Sequence, residues 1–161
     1  NMSSLISLLF ETGDPRPEKL AKILGKSKQE VEQELEELQE NKTLLGWVPI
    51  LNPDKTDPGK VRAVIEVKIS PEREGGFDRM ALRIARFEEV DSCYLMSGGY
   101  DLLVFVSGKD LNSVAAFISE RLATIEGVLS TATHFLLRPY KEQNHILVKD
   151  GMEEEKPAVS P

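Results

Sequence analysis

The stretch MSGGYDLLVFV, residues 96–106, decides how the second half of this sequence folds. Its two adjacent glycines predict a tight turn between two strands. The apolar run that follows predicts a strand with side chains alternating between two faces. Both faces of this strand are apolar: Leu102, Val104 and Val106 lie on one, and Leu103 and Phe105 on the other.

The segments on either side of this turn predict a β-α-β-β-α-β order. VRAVIEVKI at 61–69 alternates like a half-buried strand, and an amphipathic helix follows at about 77–88. The two strands around the turn come next, and a second helix begins at Asp110 and ends at Gly127. A last strand, VLSTATHFLL, completes a ferredoxin-like arrangement.

This arrangement leaves one sheet face uncovered. Two helices cover only one side of a four-stranded sheet, and the other side here would be an apolar patch in water. A second copy of the same sheet is the simplest cover. We therefore expect an obligate dimer.

The first part of the chain predicts three short helices followed by a wing. The first helix covers residues 2–10, and Pro17 suits the first turn of the second. Ser27 and Glu30 form a capping box at the start of the third. TLLGWVPIL at 43–51 is typical of a small hairpin. This order predicts a winged helix-turn-helix, which reads DNA through its third helix.

The predicted fold class is therefore α+β, with an N-terminal winged helix-turn-helix joined to a C-terminal ferredoxin-like βαββαβ domain. We expect the first domain at 1–51, and the proline- and aspartate-rich segment 52–60 as a linker. The ferredoxin-like domain, which carries the uncovered sheet face, is expected at 61–141. A C-terminal tail is expected at 142–161, mobile from about Asp150.

Composition excludes several classes of protein. The 161 residues carry a formal net charge of -7, which argues against broad, non-specific nucleic-acid binding. No apolar run approaches the ~20 residues that cross a bilayer, and no secretory leader opens the sequence. Cys93, the single cysteine, fits a reducing compartment and, by its alternation with Leu95, a core position. We expect a cytoplasmic protein without a membrane partner.

No catalytic or metal-binding set stands out. His134 and His145 are the only histidines, and no Cys/His spacing indicates zinc. We expect His134 to be packed or to line a cleft rather than to act as a base. The sequence predicts neither an enzyme nor a cofactor.

The combined pattern resembles the Lrp/AsnC family of bacterial and archaeal transcription regulators. Its G-x-Y-D turn matches Gly98 to Asp101, and its T-x-T motif matches Thr131 and Thr133. The resemblance implies a DNA-binding head and a second domain that dimerises. It also implies dimers that gather into tetramers or octamers, and small effectors, usually amino acids, in the clefts between dimers.

The resemblance also implies effector-binding residues, and their chemistry is plausible. Successive backbone amides at Ser97, Gly98, Gly99 and Tyr100 could receive a carboxylate. Asp101 could pair with an ammonium, and the hydroxyls of Thr131 and Thr133 could complete the polar contacts. The alternative is structural: the glycines only make a hairpin, and Asp101 only caps it.

The predicted recognition helix is unusually acidic. From 27 to 42 there are two lysines against six glutamates, 2 - 6 = -4, and such a helix repels phosphate. One interpretation uses its N-terminal end together with the preceding turn. In the others, the glutamates are a solvated outer face, or the head packs on protein. The candidate DNA-binding residues are Arg16, Lys26, Lys28, Gln29 and Gln33.

Two alternatives to a DNA-binding regulator are kept open. The first is an effector-binding oligomer whose head no longer binds DNA, which fits the acidic helix. The second is an enzyme similar to the sirohaem decarboxylases, which share this architecture. Against the second, SCYLMSGGYDLLVF at 92–105 contains no histidine.

Overall fold

The computed structural model describes residues 2–56 and 60–147. The chain divides into two compact units, Asn1–Pro49 and Ile50–Pro161. The expected mobile tail from Asp150 lies outside the described residues. Within the described ranges, none of the helices has the length and apolarity needed to cross a bilayer.

The first unit consists of three helices: α1 (Met2–Thr12), α2 (Pro17–Leu24) and α3 (Lys28–Glu40). The predicted spacing of apolar residues is confirmed, because the buried side chains recur on one face of each helix. The core of this unit contains Leu5, Leu8, Leu20, Ala21, Val31, Leu35 and Leu38.

Capping residues define the short turn between α2 and α3. Gly25 ends α2 in the left-handed conformation, with φ 67°, which favours glycine. The N–H groups of Gly25 and Lys26 both donate to the carbonyl of Ala21. The Ser27 hydroxyl accepts from the Glu30 N–H at 3.1 Å and caps α3, as the capping box predicts.

The wing predicted at 43–51 is wrong for this chain, because none of these residues forms a strand. Gly46 and Pro49 interrupt the run, and proline offers no N–H to a ladder. Leu45 and Val48 stay 87% and 84% exposed. In the expected linker, a 3-10 turn spans Pro53–Lys55 and is capped by the Asn52 side chain.

The second unit has the predicted β-α-β-β-α-β order. Its elements are β1 (Val61–Ile69), α4 (Asp78–Ala85), β2 (Val90–Leu95), β3 (Leu102–Gly108), α5 (Leu111–Phe117) and β4 (Val128–Phe135). The last turn of α5 continues as a π-helix, Ile118–Leu122. The sheet has the order β2-β3-β1-β4, and each neighbouring pair is antiparallel. This is the strand arrangement of a ferredoxin-like unit.

Both helices pack on one face of the sheet, and the core lies between these two layers. On β1, the side chains of Ala63, Ile65, Val67 and Ile69 are buried there. They meet Leu102, Val104 and Val106 of β3, together with Ile84 and Leu122 from the helical layer. The alternate residues of the same strands therefore face away from the helices.

The start of the predicted tail is ordered, which corrects the boundary at residue 142. Strands β5 (Lys141–Glu142) and β6 (His145–Ile146) form a hairpin. Gln143 and Asn144 in its turn both have positive φ, as a two-residue hairpin turn requires.

Candidate functional sites

The turn between β2 and β3 is a glycine-dependent hairpin at the edge of the sheet. Gly98 has φ 125°, a conformation that side-chain-bearing residues rarely adopt. The Met96 N–H donates to the carbonyl of Asp101 at 2.8 Å and closes the turn. Ser97, Gly98 and Gly99 are exposed, and Tyr100 is half-buried.

Asp101 ties this turn to β1. Its Oδ2 accepts from the Ile69 N–H at 2.8 Å, and its own N–H donates to the carbonyl of Val67 at 3.0 Å. The register between β1 and β4 shifts between Lys68 and Ile69, so this carboxylate satisfies an N–H next to an irregularity in the sheet. Asp101 therefore has a structural task whatever else it contacts.

An open cavity of about 410 Å³ lies beside the turn, where β1 ends and β4 begins. It contains three of the seven predicted effector residues, Gly99, Tyr100 and Thr131. Ser97, Gly98, Asp101 and Thr133 do not line it. The remaining lining residues are Glu66, Lys68, Ser130 and Ala132.

Two charged lining residues were missed by the sequence reasoning. Glu66 and Lys68 alternate with the buried residues of β1 and face away from the helices. The only available signal was that β1 carries two opposite charges two positions apart. Glu66 Oε2 lies 2.8 Å from His134 Nε2, whereas Lys68 forms no ion pair within the described residues.

The strand register separates the predicted threonines from these charges. Thr131 pairs with Val67, and Thr133 pairs with Ile65, so both threonine side chains point to the helix-covered side of β4. Thr131 is half-buried and Thr133 is exposed. His134 lies on the opposite face, exposed and paired with Glu66, and it does not line the cavity.

The sheet face away from the helices is apolar at its centre, as the two-sided alternation predicts. Val64, Leu103 and Phe105 are half-buried there. Tyr94 on β2 is 53% exposed, and its ring packs edge-on against Phe105 at 5.9 Å between centroids. We call these four residues the open face.

The first unit gathers the predicted DNA-binding residues near the start of α3. Arg16 precedes α2, Lys26 lies in the turn, and Lys28 begins α3. Gln29 and Gln33 follow on the exposed side of α3. The Lys28 Nζ lies 3.0 Å from Glu18 Oε1 on α2, which brings the two helix starts together.

Each of the three cations in this group is held by a carboxylate. The Arg16 guanidinium donates to both oxygens of Asp14, at 2.9 and 2.7 Å. Lys26 Nζ lies 2.6 Å from Glu34 Oε1, and both side chains are 21% exposed. Lys28 contacts Glu18, and also Glu32 at 3.6 Å.

The outward face of α3 changes character along its length. Opposite the buried stripe, the N-terminal half presents the uncharged amides of Gln29 and Gln33. The C-terminal half presents Glu36, Glu37 and Glu40, all exposed. These glutamates therefore lie on the same outward face of α3 as Gln29 and Gln33.

The remaining reactive side chains form no second site. Cys93 packs half-buried against the second core, its Sγ 3.9 Å from the Ala81 carbonyl, and burial raises the pKa of its thiol. His145 Nδ1 is hydrogen-bonded to the Gln143 carbonyl. In the part of the chain that the structure describes, no group of three or more potential metal ligands occurs.

The chain combines three N-terminal helices with an antiparallel βαββαβ unit. A sequence model of the Lrp/AsnC ligand binding domain matches residues 62–146. The uncharacterized HTH-type transcriptional regulator YugG of Bacillus subtilis is 37% identical over 99% of this chain and 96% of its own length. The proline dehydrogenase transcriptional activator of Rhizobium radiobacter is 27% identical, and the match covers 86% of this chain and 88% of that protein.

Solved structures agree on the fold. A Neisseria meningitidis transcriptional regulator, crystallised as a complex with L-Met, superposes with a TM-score of 0.61. It is 23% identical, and the match covers 86% of this chain and 88% of that one. This chain belongs to the Lrp/AsnC family of transcriptional regulators. Its relatives are named as regulators rather than enzymes, so the decarboxylase alternative is not supported.

Proposed function

We propose that this chain is a DNA-binding transcriptional regulator that responds to a small amino-acid-like effector. The observation that carries the proposal is the 37% identity to an HTH-type regulator over 99% of the chain. Because the match spans both units, it supports a division of labour: DNA binding at 1–51, and effector binding and assembly at 61–141, joined by a linker at 52–60. Such a regulator acts where its DNA is, which for this proposal is the cytoplasm.

The DNA-binding surface is the start of α3 with the turn before it. As a helix-turn-helix, this unit would place the exposed amides of Gln29 and Gln33 against base edges, where glutamine recognises adenine. Arg16, Lys26 and Lys28 would contact phosphates. The helix N-terminus also favours an anion. The acidic C-terminal half of α3 would have to stay clear of the phosphate backbone.

The open face is the surface for a second copy of the chain. Val64, Leu103, Phe105 and Tyr94 form a contiguous apolar area that two helices cannot cover. A twofold axis would bring the same residues together from both copies. Larger assemblies, tetramers or octamers, would use further surfaces. The dimer multiplies weak DNA contacts by holding two heads together.

The Phe105→Asp variant tests this surface, because a charge buried against a second apolar sheet is costly. Sedimentation velocity should show a dimer, or an assembly of dimers, for the wild type and a monomer for the variant. Leu137→Asp is the matched control, since Leu137 is apolar and 95% exposed outside the open face. If the Phe105→Asp variant remained dimeric, the open face would not be the dimer interface.

The effector site is the cavity beside the β2–β3 turn. A free amino acid carries one carboxylate and one ammonium, and the cavity offers one cation and one carboxylate, on Lys68 and Glu66. Ser130 and Tyr100 add hydroxyl groups, and the backbone of Gly99 is accessible. Thr131 also lines the cavity, although its side chain points to the other face of β4. Of the predicted residues, Ser97, Gly98, Asp101 and Thr133 would act by shaping the surroundings of the cavity.

Titration of the twenty amino acids by calorimetry tests this site. The Lys68→Ala variant should weaken binding at least about tenfold, since a hydrogen bond to a charged group is lost. Lys109→Ala, which removes an exposed lysine outside the cavity, should leave affinity unchanged. Equal loss in both variants would mean that the cavity does not hold the effector.

Selection of sheared genomic DNA at low salt, followed by fluorescence anisotropy on the recovered fragments, tests the DNA-binding function. We expect a defined site whose affinity falls as salt rises. Recovery of no DNA by a well-folded oligomer would favour the second candidate function, an effector-binding protein with a silent head. That candidate draws support from the paired cations and the acidic half of α3.

A further inference from the structure

The cations at the start of α3 are already engaged before any DNA arrives. Lys26 is paired with Glu34, eight residues further along the chain, so the pair links the turn to the middle of α3. Lys28 is paired with Glu18, which links α3 back to α2. Both carboxylates belong to the same helical unit as their partners. A phosphate would therefore meet lysines whose charge is already compensated.

We propose that Glu34 and Glu18 are affinity-determining residues that compete with DNA phosphates for Lys26 and Lys28. DNA binding is then an exchange, in which a phosphate takes the place of a carboxylate on each lysine. This inference rests on the proposed DNA-binding function. It assigns a role to two of the glutamates that make the head acidic.

The geometry at Glu34 makes this competition strong. Its side chain is held against the turn, with only 21% exposed, and its Oε2 is buried without a hydrogen-bond partner among the described residues. It therefore has little freedom to swing away when a phosphate approaches. A lysine ammonium has three N–H donors, but if Lys26 contacted both anions at once, their negative charges would lie close together and repel each other. The phosphate therefore takes Lys26 from Glu34 rather than sharing it.

The charge states favour the pairs at neutral pH. The hydrogen bond that Lys26 donates to Glu34 raises the pKa of Lys26, and the hydrogen bond that Lys28 donates to Glu18 raises the pKa of Lys28. The pKa of Glu18 is lowered, first by its own backbone N–H and then by Lys28. Lys26, Lys28 and Glu18 are therefore all charged at neutral pH.

Lys22 differs from Lys26 and Lys28 in having no carboxylate partner among the described residues. It is exposed on α2 and forms no ion pair in the described part of the chain. A phosphate contact there needs no exchange. Among the lysines of α2, α3 and the turn between them, the competition falls on Lys26 and Lys28, which flank the start of α3. It lowers affinity most where the helix reads the sequence.

A double-mutant cycle on the full-length protein tests the proposal, with the DNA recovered from genomic selection as the probe. The Glu34→Gln variant should bind at least about two- to fivefold more tightly, which is the range for a fully exposed ion pair, because this pair is only 21% exposed. The plot of log affinity against log salt should steepen by roughly 0.9, since one more phosphate contact is made without an expelled carboxylate.

The same substitution is then made in a Lys26→Gln background. If Glu34 acts through Lys26, the gain disappears there, because no lysine remains to be released. Glu18→Gln with Lys28→Gln forms the second cycle, and Glu18 is exposed enough that its removal leaves the fold intact. Circular dichroism checks folding in every variant.

The outcomes separate this inference from the proposed function. A gain that is equally large in the Lys26→Gln background reports only long-range charge and overturns the inference, while DNA binding stands. Binding that appears only in the Glu34→Gln and Glu18→Gln variants supports the inference, whereas the silent wild-type head counts against the proposed function. Absence of DNA binding by every variant at low salt overturns both.

Discussion

Replacing Asp101 with alanine would separate its structural role from its predicted role in effector binding. The carboxylate accepts from the Ile69 N–H at 2.8 Å, beside the irregular register of β1. Removing the acceptor leaves a largely enclosed N–H without a partner, which costs about 1–3 kcal/mol of unfolding free energy. For a chain of this length, the expected fall in Tm is roughly 2–12 °C.

Asp101→Asn is the informative companion variant. The asparagine oxygen can take the place of Oδ2 and accept the same hydrogen bond, although a neutral acceptor is weaker than a carboxylate. We expect a loss of at most about 1 kcal/mol. Asp91→Ala, at an exposed aspartate on β2, is the control for removal of a charge.

Urea unfolding followed by circular dichroism gives the stabilities. Fluorescence of Trp47, the single tryptophan, serves as a reference for the first unit. If Asp101→Ala unfolds with the same free energy as Asp91→Ala, the hydrogen bond to Ile69 contributes nothing and our reasoning is refuted.

Effector titration of the same two variants addresses the predicted role. If Asp101 only positions the turn, Asp101→Asn keeps wild-type affinity and Asp101→Ala loses it. If Asp101→Asn is stable but no longer binds, the carboxylate contacts the ammonium directly, as the sequence analysis predicted.

Three further predictions concern the fold and its acid sensitivity. Gly98→Ala should lower the free energy of unfolding in urea by about 1–3 kcal/mol, because Gly98 has φ 125°. Gly99→Ala should leave stability nearly unchanged, since the added methyl meets no atom within 4 Å. Equal losses in the two variants would contradict this prediction. Leu122→Ala, at a fully buried position, should cost about 2–5 kcal/mol in the same assay, against almost nothing for exposed Leu129→Ala. Arg16 holds the pKa of Asp14 well below its usual 3.8, mainly through side-chain hydrogen bonds. This pair therefore stabilises the first unit above pH 3.8, and the stabilisation is lost as pH falls through the lowered pKa. Asp14→Asn should lower Tm near neutral pH by a difference that shrinks on acidification, and a pH-independent difference would refute this reasoning.

The hydrophobic periodicity of the sequence was sufficient for most of the fold. Buried stripes on the helices and alternation on the strands arise from local geometry, which any stretch of sequence carries in itself. The capping box at Ser27 and the left-handed Gly25 are local for the same reason. The prediction of strand β1 was confirmed residue by residue.

The wing and the tail show where local signals fail. The run at 43–51 has strand-forming residues, but a strand exists only when another strand pairs with it, and none does among residues 2–56 and 60–147. Conversely, Gln143 and Asn144 adopt the left-handed turn of a hairpin that the polar sequence did not suggest.

The sequence by itself determined the two-unit α+β architecture, the glycine turn and the acidity of the third helix. Only the tertiary structure decided which polar and charged groups contact one another. Lys26 and Glu34 are eight residues apart, and Asp101 and Ile69 are 32 apart, so no periodicity connects them. The cavity likewise combines β1, the turn and β4, because antiparallel pairing brings strand ends together that are remote in the chain.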